Sequence, residues 1–183
     1  MDQVTLIEEC KLNNKRAQIE VYRKYNQAMF NVAVRMLRNT ENSEDIIQDS
    51  FLSAFKNIHQ YKGEVTFGAW LKKIVIHNCL NFIKKKTIEV VQIDETDTKI
   101  IEFEDKDNWE FEDKISIEFV KNCIDKLPKK YKFVVMLYLI EGYDHIEISD
   151  ILNISIIASR TQLMRGKTKL RQLIKTQGYE TES

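Results

Sequence analysis

Hydrophobic residues recur three or four positions apart between residues 19 and 37, which is the period of one face of an α-helix. The polar run NTENSED, residues 39–45, interrupts this pattern. Asn42 or Ser43 is predicted to cap a second helix, since a side-chain oxygen there can accept hydrogen bonds from the first turn. Taken alone, the polar face of that helix indicates a surface exposed to solvent. The face consists of Asp45, Gln48, Asp49 and Lys56.

The third predicted helix begins with aromatic residues and ends with lysines. A loop at residues 61–66 precedes it, and Thr66 is placed to cap it. Phe67 and Trp70 stand in its first turn, and residues 67–86 contain five lysines and no acidic residue. Two interpretations remain open. Either the rings belong to the core and the lysines complement the helix dipole, or the rings stack on unpaired bases and the lysines attract phosphates.

The last third of the chain has the spacing of a helix-turn-helix. Pro128 is expected to start an apolar helix and Gly142 to end it. Asp144 is placed to cap a short helix, and Asn153 in the following turn tolerates the left-handed conformation. A long helix from residue 156 to residue 174 completes the pattern. Its inward-facing residues are expected to be Ile157, Leu163, Leu170 and Leu173.

The outer side of this final helix is polar and basic. A helix that reads the major groove needs long hydrogen-bonding side chains near its start and cations further along. An ordinary amphipathic helix pair is the alternative, but turn, spacing and polarity agree on DNA binding. The residues predicted to contact duplex DNA are Ser155, Ser159, Arg160, Gln162, Arg165, Lys167 and Lys169.

Composition favours an all-α protein, because the 183 residues include only five glycines and one proline. Net charge divides the chain into three blocks: residues 1–88 carry +5, residues 89–114 carry −8 and residues 115–183 carry +3. We therefore expect two small helical domains, residues 1–88 and 115–183, joined by an acidic linker at residues 89–114. The linker also contains apolar residues, which predicts a working segment rather than a passive tether.

Several function classes are disfavoured. The chain shows no glycine-rich phosphate loop and no Ser/His/Asp set, its three histidines are scattered, and its three cysteines lack metal-site spacing. We expect no enzyme activity, no cofactor and no metal. The sequence has no leader pattern and no apolar run long enough to cross a bilayer, which predicts a cytoplasmic protein.

Two stretches resemble the bacterial RNA polymerase sigma factors of the extracytoplasmic-function group. SEDIIQDSFLSAFKNIHQYKGEVTFGAWLKKIVIHNCLNFIKKK is similar to the second conserved region of that family. LPKKYKFVVMLYLIEGYDHIEISDILNISIIASRTQLMRGKTKLRQLI is similar to its fourth. The two cover about half of the chain, and their order and the intervening linker also match.

The resemblance implies a transcription initiation factor that binds core RNA polymerase, recognises promoter DNA and promotes strand opening. It implies that Asp45, Gln48 and Asp49 bind polymerase and that the loop at residues 61–66 captures a flipped base of the minus-ten element. The final helix would enter the major groove of the minus-thirty-five element. The residues assigned to minus-ten DNA are Tyr61, Lys62, Phe67, Trp70, Lys73, His77, Asn78, Asn81 and Lys84.

The same resemblance implies an anti-sigma factor as a further partner, one that is often membrane-linked in this family. The chain itself would not insert into a membrane and would be a monomer when free. Members commonly carry Asn at the position of His77 and Gly-Thr at that of Ile157-Ala158, so base preference is expected to be atypical. The alternative hypothesis is a stand-alone helix-turn-helix regulator that binds duplex operators as a dimer.

Overall fold

The computed structural model describes residues 3–88 and 116–180, and all regular structure in these two ranges is helical. The described helices form two separately packed units. The expected all-α fold with two small helical domains is therefore confirmed. The predicted linker at residues 89–114 lies outside the described residues, and the domain limits drawn from charge remain a prediction.

The described part of the N-terminal unit consists of four α-helices and one short 3₁₀-helix. They are α1 (Gln3–Lys11), α2 (Lys15–Leu37), α3 (Thr40–Lys56), the 3₁₀-helix Ile58–Gln60 and α4 (Phe67–Ile88). Helices α2, α3 and α4 pack against one another, and α1 lies against α2. Their shared core includes fully buried aliphatic and aromatic side chains. Among them are Val21, Ile47, Phe51, Phe67, Leu71 and Val75.

The predicted cap of α3 is wrong. Asn39, not Asn42 or Ser43, is the capping residue, and its Oδ1 accepts a hydrogen bond from the Asn42 backbone N–H at 2.7 Å. Ser43 is buried inside the helix, where its hydroxyl donates to the Asn39 carbonyl at 2.6 Å. The chain leaves α2 through the left-handed residue Arg38, at φ 52°, so α3 begins at Thr40, two residues after Arg38 and about one turn before the predicted start.

The C-terminal unit also has four helices among its described residues. They are α5 (Ile117–Asp125), α6 (Lys129–Leu139), α7 (His145–Leu152) and α8 (Ile156–Glu180). Asp144 caps α7 as expected, and a reciprocal bond from the Asp144 N–H to Glu147 completes a capping box. Asn153 is left-handed, at φ 55°, which confirms the predicted turn between α7 and α8.

Two limits of the predicted helices differ from the structure. Helix α6 ends before Gly142, which instead turns the loop with a φ of 77°. Helix α8 continues six residues past the predicted end at Ile174. Leu163 and Leu170 are buried as expected, but Ile157 is 68% exposed, so its predicted inward orientation is wrong. Ser159 takes the inward place because it lies one turn before Leu163.

Helices α6 and α8 approach each other closely at Gly166. A Cβ atom there would lie 2.5 Å from Val135 Cγ2 and 3.3 Å from Tyr131 Cβ. Both neighbours belong to the buried face of α6, so neither can move away without disturbing the core. The missing side chain of Gly166 therefore sets the approach of the two helices.

Gly166→Ala should destabilise the C-terminal unit by about 1–2 kcal/mol, because overpacking outweighs the better helix propensity of alanine. Urea unfolding of the full chain measures this change. Gly68→Ala in α4 is the matched control, since its new Cβ would meet the ring edge of Tyr25 at 3.1 Å, a milder approach than the 2.5 Å contact at Gly166. Equal stability changes for the two variants would contradict a close contact at Gly166.

Candidate nucleic-acid interface

The loop before α4 is held closed by its own side chain and backbone. Tyr61 Oη donates a hydrogen bond to the Val65 carbonyl at 2.7 Å, which bridges the two ends of the loop. Gly63 adopts a φ of 80°, a conformation that side chains disfavour. Lys62 and Glu64 are exposed on the outside of the turn. The loop therefore has a defined shape in the free chain.

Three aromatic rings form a cluster at the base of this loop. Tyr61, Phe67 and Trp70 contact one another with all three centroid separations at 5.5 Å. Phe67, predicted to meet nucleic acid, is fully buried and also contacts Tyr25, so its ring lies in the core of the free chain. Tyr61 and Trp70 remain half-exposed. Phe67 is the core support on which those two rings rest.

The polar residues of α4 fall into two groups. Lys73, Asn81 and Lys84 are exposed, whereas His77 and Asn78 are half-buried. The Asn78 amide donates to Ser50 Oγ at 2.9 Å, and that hydroxyl donates to the Ile46 carbonyl within α3. Asn78 thus ties α4 to α3 through its N–H₂ group. Its carbonyl oxygen, its second amide N–H and the outer side of the residue remain for a ligand.

The outer face of α3 is a single polar surface with one apolar residue. Asp45, Gln48 and Asp49 are exposed, and no hydrogen bond or ion pair joins them to the described residues. Leu52 lies on the same face, one turn further along, and is 68% exposed. Sequence reasoning assigned Leu52 no role. The sequence could have indicated its exposure, because position 52 does not fall on the helix face that the buried positions 51 and 54 share.

The outer side of α8 keeps part of the predicted set. Arg160 and Lys169 are exposed and make no ion pair or hydrogen bond with the residues in the described ranges. Gln162 and Arg165 are half-buried. Ser155 serves as a helix cap, since its Oγ accepts the Ala158 N–H at 3.0 Å. The pair Ile157-Ala158 lies in the first turn of α8, not in the turn before it.

Ser159 and Lys167, both predicted to contact DNA, face inward in the described structure. Ser159 is fully buried, with its Oγ 2.9 Å from His145 Nδ1. The His145 ring stacks on Tyr138, with centroids 5.0 Å apart. Lys167 is only 8% exposed, and its Nζ lies 5.9 Å from the centre of the same tyrosine ring. Both residues are four positions from Leu163, so they share its buried stripe.

The cysteine thiols are poor candidates for chemistry. Burial raises the pKa of Cys79 to about 12, and burial with the charges of Glu20 and Glu9 raises the pKa of Cys10 to about 11. Both thiols therefore stay protonated at neutral pH and are weak nucleophiles. Within the described ranges, no cluster of His, Cys, Asp and Glu has the arrangement of a metal site. No helix there is long and apolar enough to span a membrane.

Comparison with known families matches both helical units. Residues 21–88 match Sigma-70 region 2, and residues 120–170 match Sigma-70, region 4. The ECF RNA polymerase sigma factor SigW of Bacillus subtilis is 28% identical over 177 residues, which cover 92% of this chain and 95% of that protein. RNA polymerase sigma factor SigV of the same organism is 26% identical over 147 residues, with coverage of 80% and 84%.

Solved structures agree on the fold. The sigma factor RpoE of Bartonella quintana, solved with the anti-sigma factor NepR, has a TM-score of 0.59 at 17% identity. That likeness covers 85% of this chain and 95% of RpoE. CnrH, solved with the cytosolic domain of CnrY, has a TM-score of 0.57 at 17% identity, covering 94% and 96%. A stand-alone helix-turn-helix regulator is not favoured, because the N-terminal helices match a sigma region as well.

Ser159→Ala should lower the free energy of unfolding by about 1 kcal/mol, because it removes a buried hydrogen bond to His145. Urea unfolding measures this loss. Thr168→Ala is the control on the same helix, since that exposed hydroxyl bonds only to the Met164 carbonyl. A Ser159→Ala variant of unchanged stability, with strongly weakened DNA binding, would restore the original assignment of Ser159 as a DNA contact.

Proposed function

Because this chain is a transcription initiation factor of the sigma-70 family, in its extracytoplasmic-function group, we propose that its two helical units divide promoter recognition between them. The N-terminal unit binds core RNA polymerase and the opened minus-ten strand, and the C-terminal unit reads the minus-thirty-five duplex. The observation that carries this proposal is the closed aromatic loop at the head of α4, a helix with an exposed lysine near its start, Lys73, and another near its end, Lys84. Proteins of this family are generally regulators without enzyme activity, and bond formation belongs to the polymerase.

The polymerase-binding surface is the outer face of α3. Asp45, Gln48 and Asp49 offer a carboxylate, an amide and a second carboxylate, none engaged with the described part of the chain. Leu52 adds an apolar contact on the same face. A binding surface gains most from a desolvated apolar residue surrounded by polar groups that exclude water. Leu52 is therefore the residue whose truncation should weaken core binding most.

The minus-ten surface combines the loop with the outer side of α4. Tyr61 and Trp70 supply the rings, while the exposed Lys62, Lys73 and Lys84 supply positive charge for the phosphates. Flipping a base costs a few kcal/mol of lost stacking, and stacking on a protein ring returns roughly 1–3 kcal/mol per base. A ring that is already in place, with lysines to bind the phosphates, therefore offsets much of the cost of opening the strand.

The minus-thirty-five surface is the outer side of α8. Arg160 lies near the N-terminus of that helix, where side chains of a helix-turn-helix reach base edges. Gln162 and Arg165 are half-buried and extend beside it, and Lys169 follows one turn later for phosphate contact. A bidentate arginine contact to guanine discriminates by about 1–3 kcal/mol. Arg160 is the strongest candidate for such a contact.

A protein inhibitor completes the set of partners. The RpoE structure contains an anti-sigma factor, and the CnrH structure contains the cytosolic domain of a second protein. By analogy, an anti-sigma factor binds this chain and competes with polymerase. The chain is a monomer when it is bound to neither partner, and it acts inside the cell, where polymerase is found.

Leu52→Ala should weaken the affinity for core RNA polymerase by roughly 5–30-fold, which corresponds to about 1–2 kcal/mol for a buried apolar contact. Leu12→Ala is a matched control, because Leu12 is 78% exposed and lies at the other end of the unit's sequence. Fluorescence titration of core enzyme with labelled variants measures both. If the two leucine variants bind core enzyme equally well, the outer face of α3 is not the contact surface.

Trp70→Ala should impair strand opening, and Arg160→Ala should impair duplex recognition. Permanganate reactivity of unpaired thymines measures opening by the reconstituted holoenzyme. On a template already melted around the start site, Trp70→Ala should regain most of its activity, because the strand-opening step is bypassed. Arg160→Ala should stay defective there.

Two results would contradict this division. The melted template would rescue both variants to the same extent, or it would rescue neither. Gln27→Ala provides a reference for nonspecific effects, since Gln27 is exposed on α2 and bonds only to Asn31, on the same helix. That variant should match the parent on both templates.

A further inference from the structure

The first turn of α8 exposes a large apolar side chain on its outer side. Ile157 is 68% exposed, more than any other hydrophobic residue of this helix in the described range. The buried stripe of the helix passes through Ser159 and Leu163. Two residues along a helix turn the side chain by about 200°, so Ile157 points almost directly away from the core. Its exposure is fixed by the helix and not by a loose chain end.

Nothing among the described residues of the C-terminal unit accounts for isoleucine at this place. The Thr161 hydroxyl bonds to the backbone carbonyl of Ile157, a contact that any residue would provide. A β-branched residue is also a poorer helix former than alanine or a long polar residue. Local structure therefore gives no reason for an exposed isoleucine at this position. We infer that the side chain contacts a partner.

The surroundings of Ile157 indicate which partner. Arg160 lies on the neighbouring row of the helix, about 60° around the axis, and is exposed. Lys169 adds a second exposed cation further along. Neither cation is bonded to the described residues, so both are free to meet phosphates or base edges. An apolar side chain beside unpaired cations fits the floor of a major groove better than a protein surface.

Resting on the proposed minus-thirty-five role of α8, we propose that Ile157 is a specificity-determining residue that contacts the C5-methyl group of one thymine. That methyl is the apolar feature that the major groove presents, and it distinguishes thymine from every other base there. Three residues of helix rise about 4.5 Å, slightly more than one base step. The thymine therefore lies one or two steps from the base pair that Arg160 contacts.

The test compares thymine with uracil, which differs only by the missing methyl group. Holoenzyme made with the full chain first selects its preferred minus-thirty-five element from a randomised duplex. Each thymine of that element is then replaced singly by uracil, and the dissociation constant is measured. The parent should lose about threefold to fivefold at one position, the effect of one methyl group leaving an apolar contact. Ile157→Ala should bind both templates equally at that position.

Two control variants make the result specific. Ile146→Ala removes an isoleucine that is 65% exposed on α7, and it should keep the full difference between thymine and uracil. Arg160→Ala should weaken binding to both templates alike. Because Ile157 is exposed, its variant should unfold at the same urea concentration as the parent, which a separate measurement checks.

Three outcomes overturn the inference. The parent can be insensitive to uracil at every position, or the selected element can contain no thymine near the Arg160 contact. Ile157→Ala can also retain the full difference, which would assign the discrimination to DNA shape. A different result marks failure of the proposed function itself. In that case the holoenzyme selects no upstream element and Arg160→Ala has no effect, and the inference falls with it.

Discussion

Burial of one face of every helix limits what the opposite face can bind. Each unit is small, so its core needs a full stripe from each packed helix. Helix α4 contributes Phe67, Leu71 and Val75, and α8 contributes Leu163 and Leu170. What remains for polymerase and DNA is a strip on the far side of each helix. The three proposed surfaces are therefore narrow rows of side chains, and a partner must align with the helix axis to use them.

This limit explains why some site residues were placed correctly from sequence and others were not. Residue type suggested that Ser159 and Lys167 face solvent and that Ile157 faces the core. Their positions on the helix give the opposite orientations. Leu163 is buried and fixes the rotation of α8, so the residues four positions away, Ser159 and Lys167, lie on the same buried side. Predictions of cap residues were correct where only one strong candidate was present, as with Asp144 and Asn153. Asn39 was missed because three polar residues competed within one turn.

The inward polar residues of the C-terminal unit have a role of their own. Tyr138, His145 and Ser159 form a chain of contacts that joins α6, α7 and α8. A helix-turn-helix works only if its second helix keeps a fixed angle to the first, and apolar packing alone allows small rotations. A directional hydrogen bond between His145 and Ser159 removes that freedom. Pattern reasoning could not have found this chain, because its members are 7 and 14 positions apart.

In the proposed minus-ten role, the hydroxyl of Tyr61 has a kinetic consequence for promoter opening. Ordering a loop costs on the order of 1–2 kcal/mol per residue in backbone entropy. Here the bond from Tyr61 to the Val65 carbonyl orders the loop during folding, before any DNA is present. The proposed receptor for a flipped base is thus already formed before DNA arrives, and the loop need not rearrange around its ligand. Under the proposed role, the slow event is the spontaneous opening of the base pairs, and the factor then binds a base that thermal motion has already exposed.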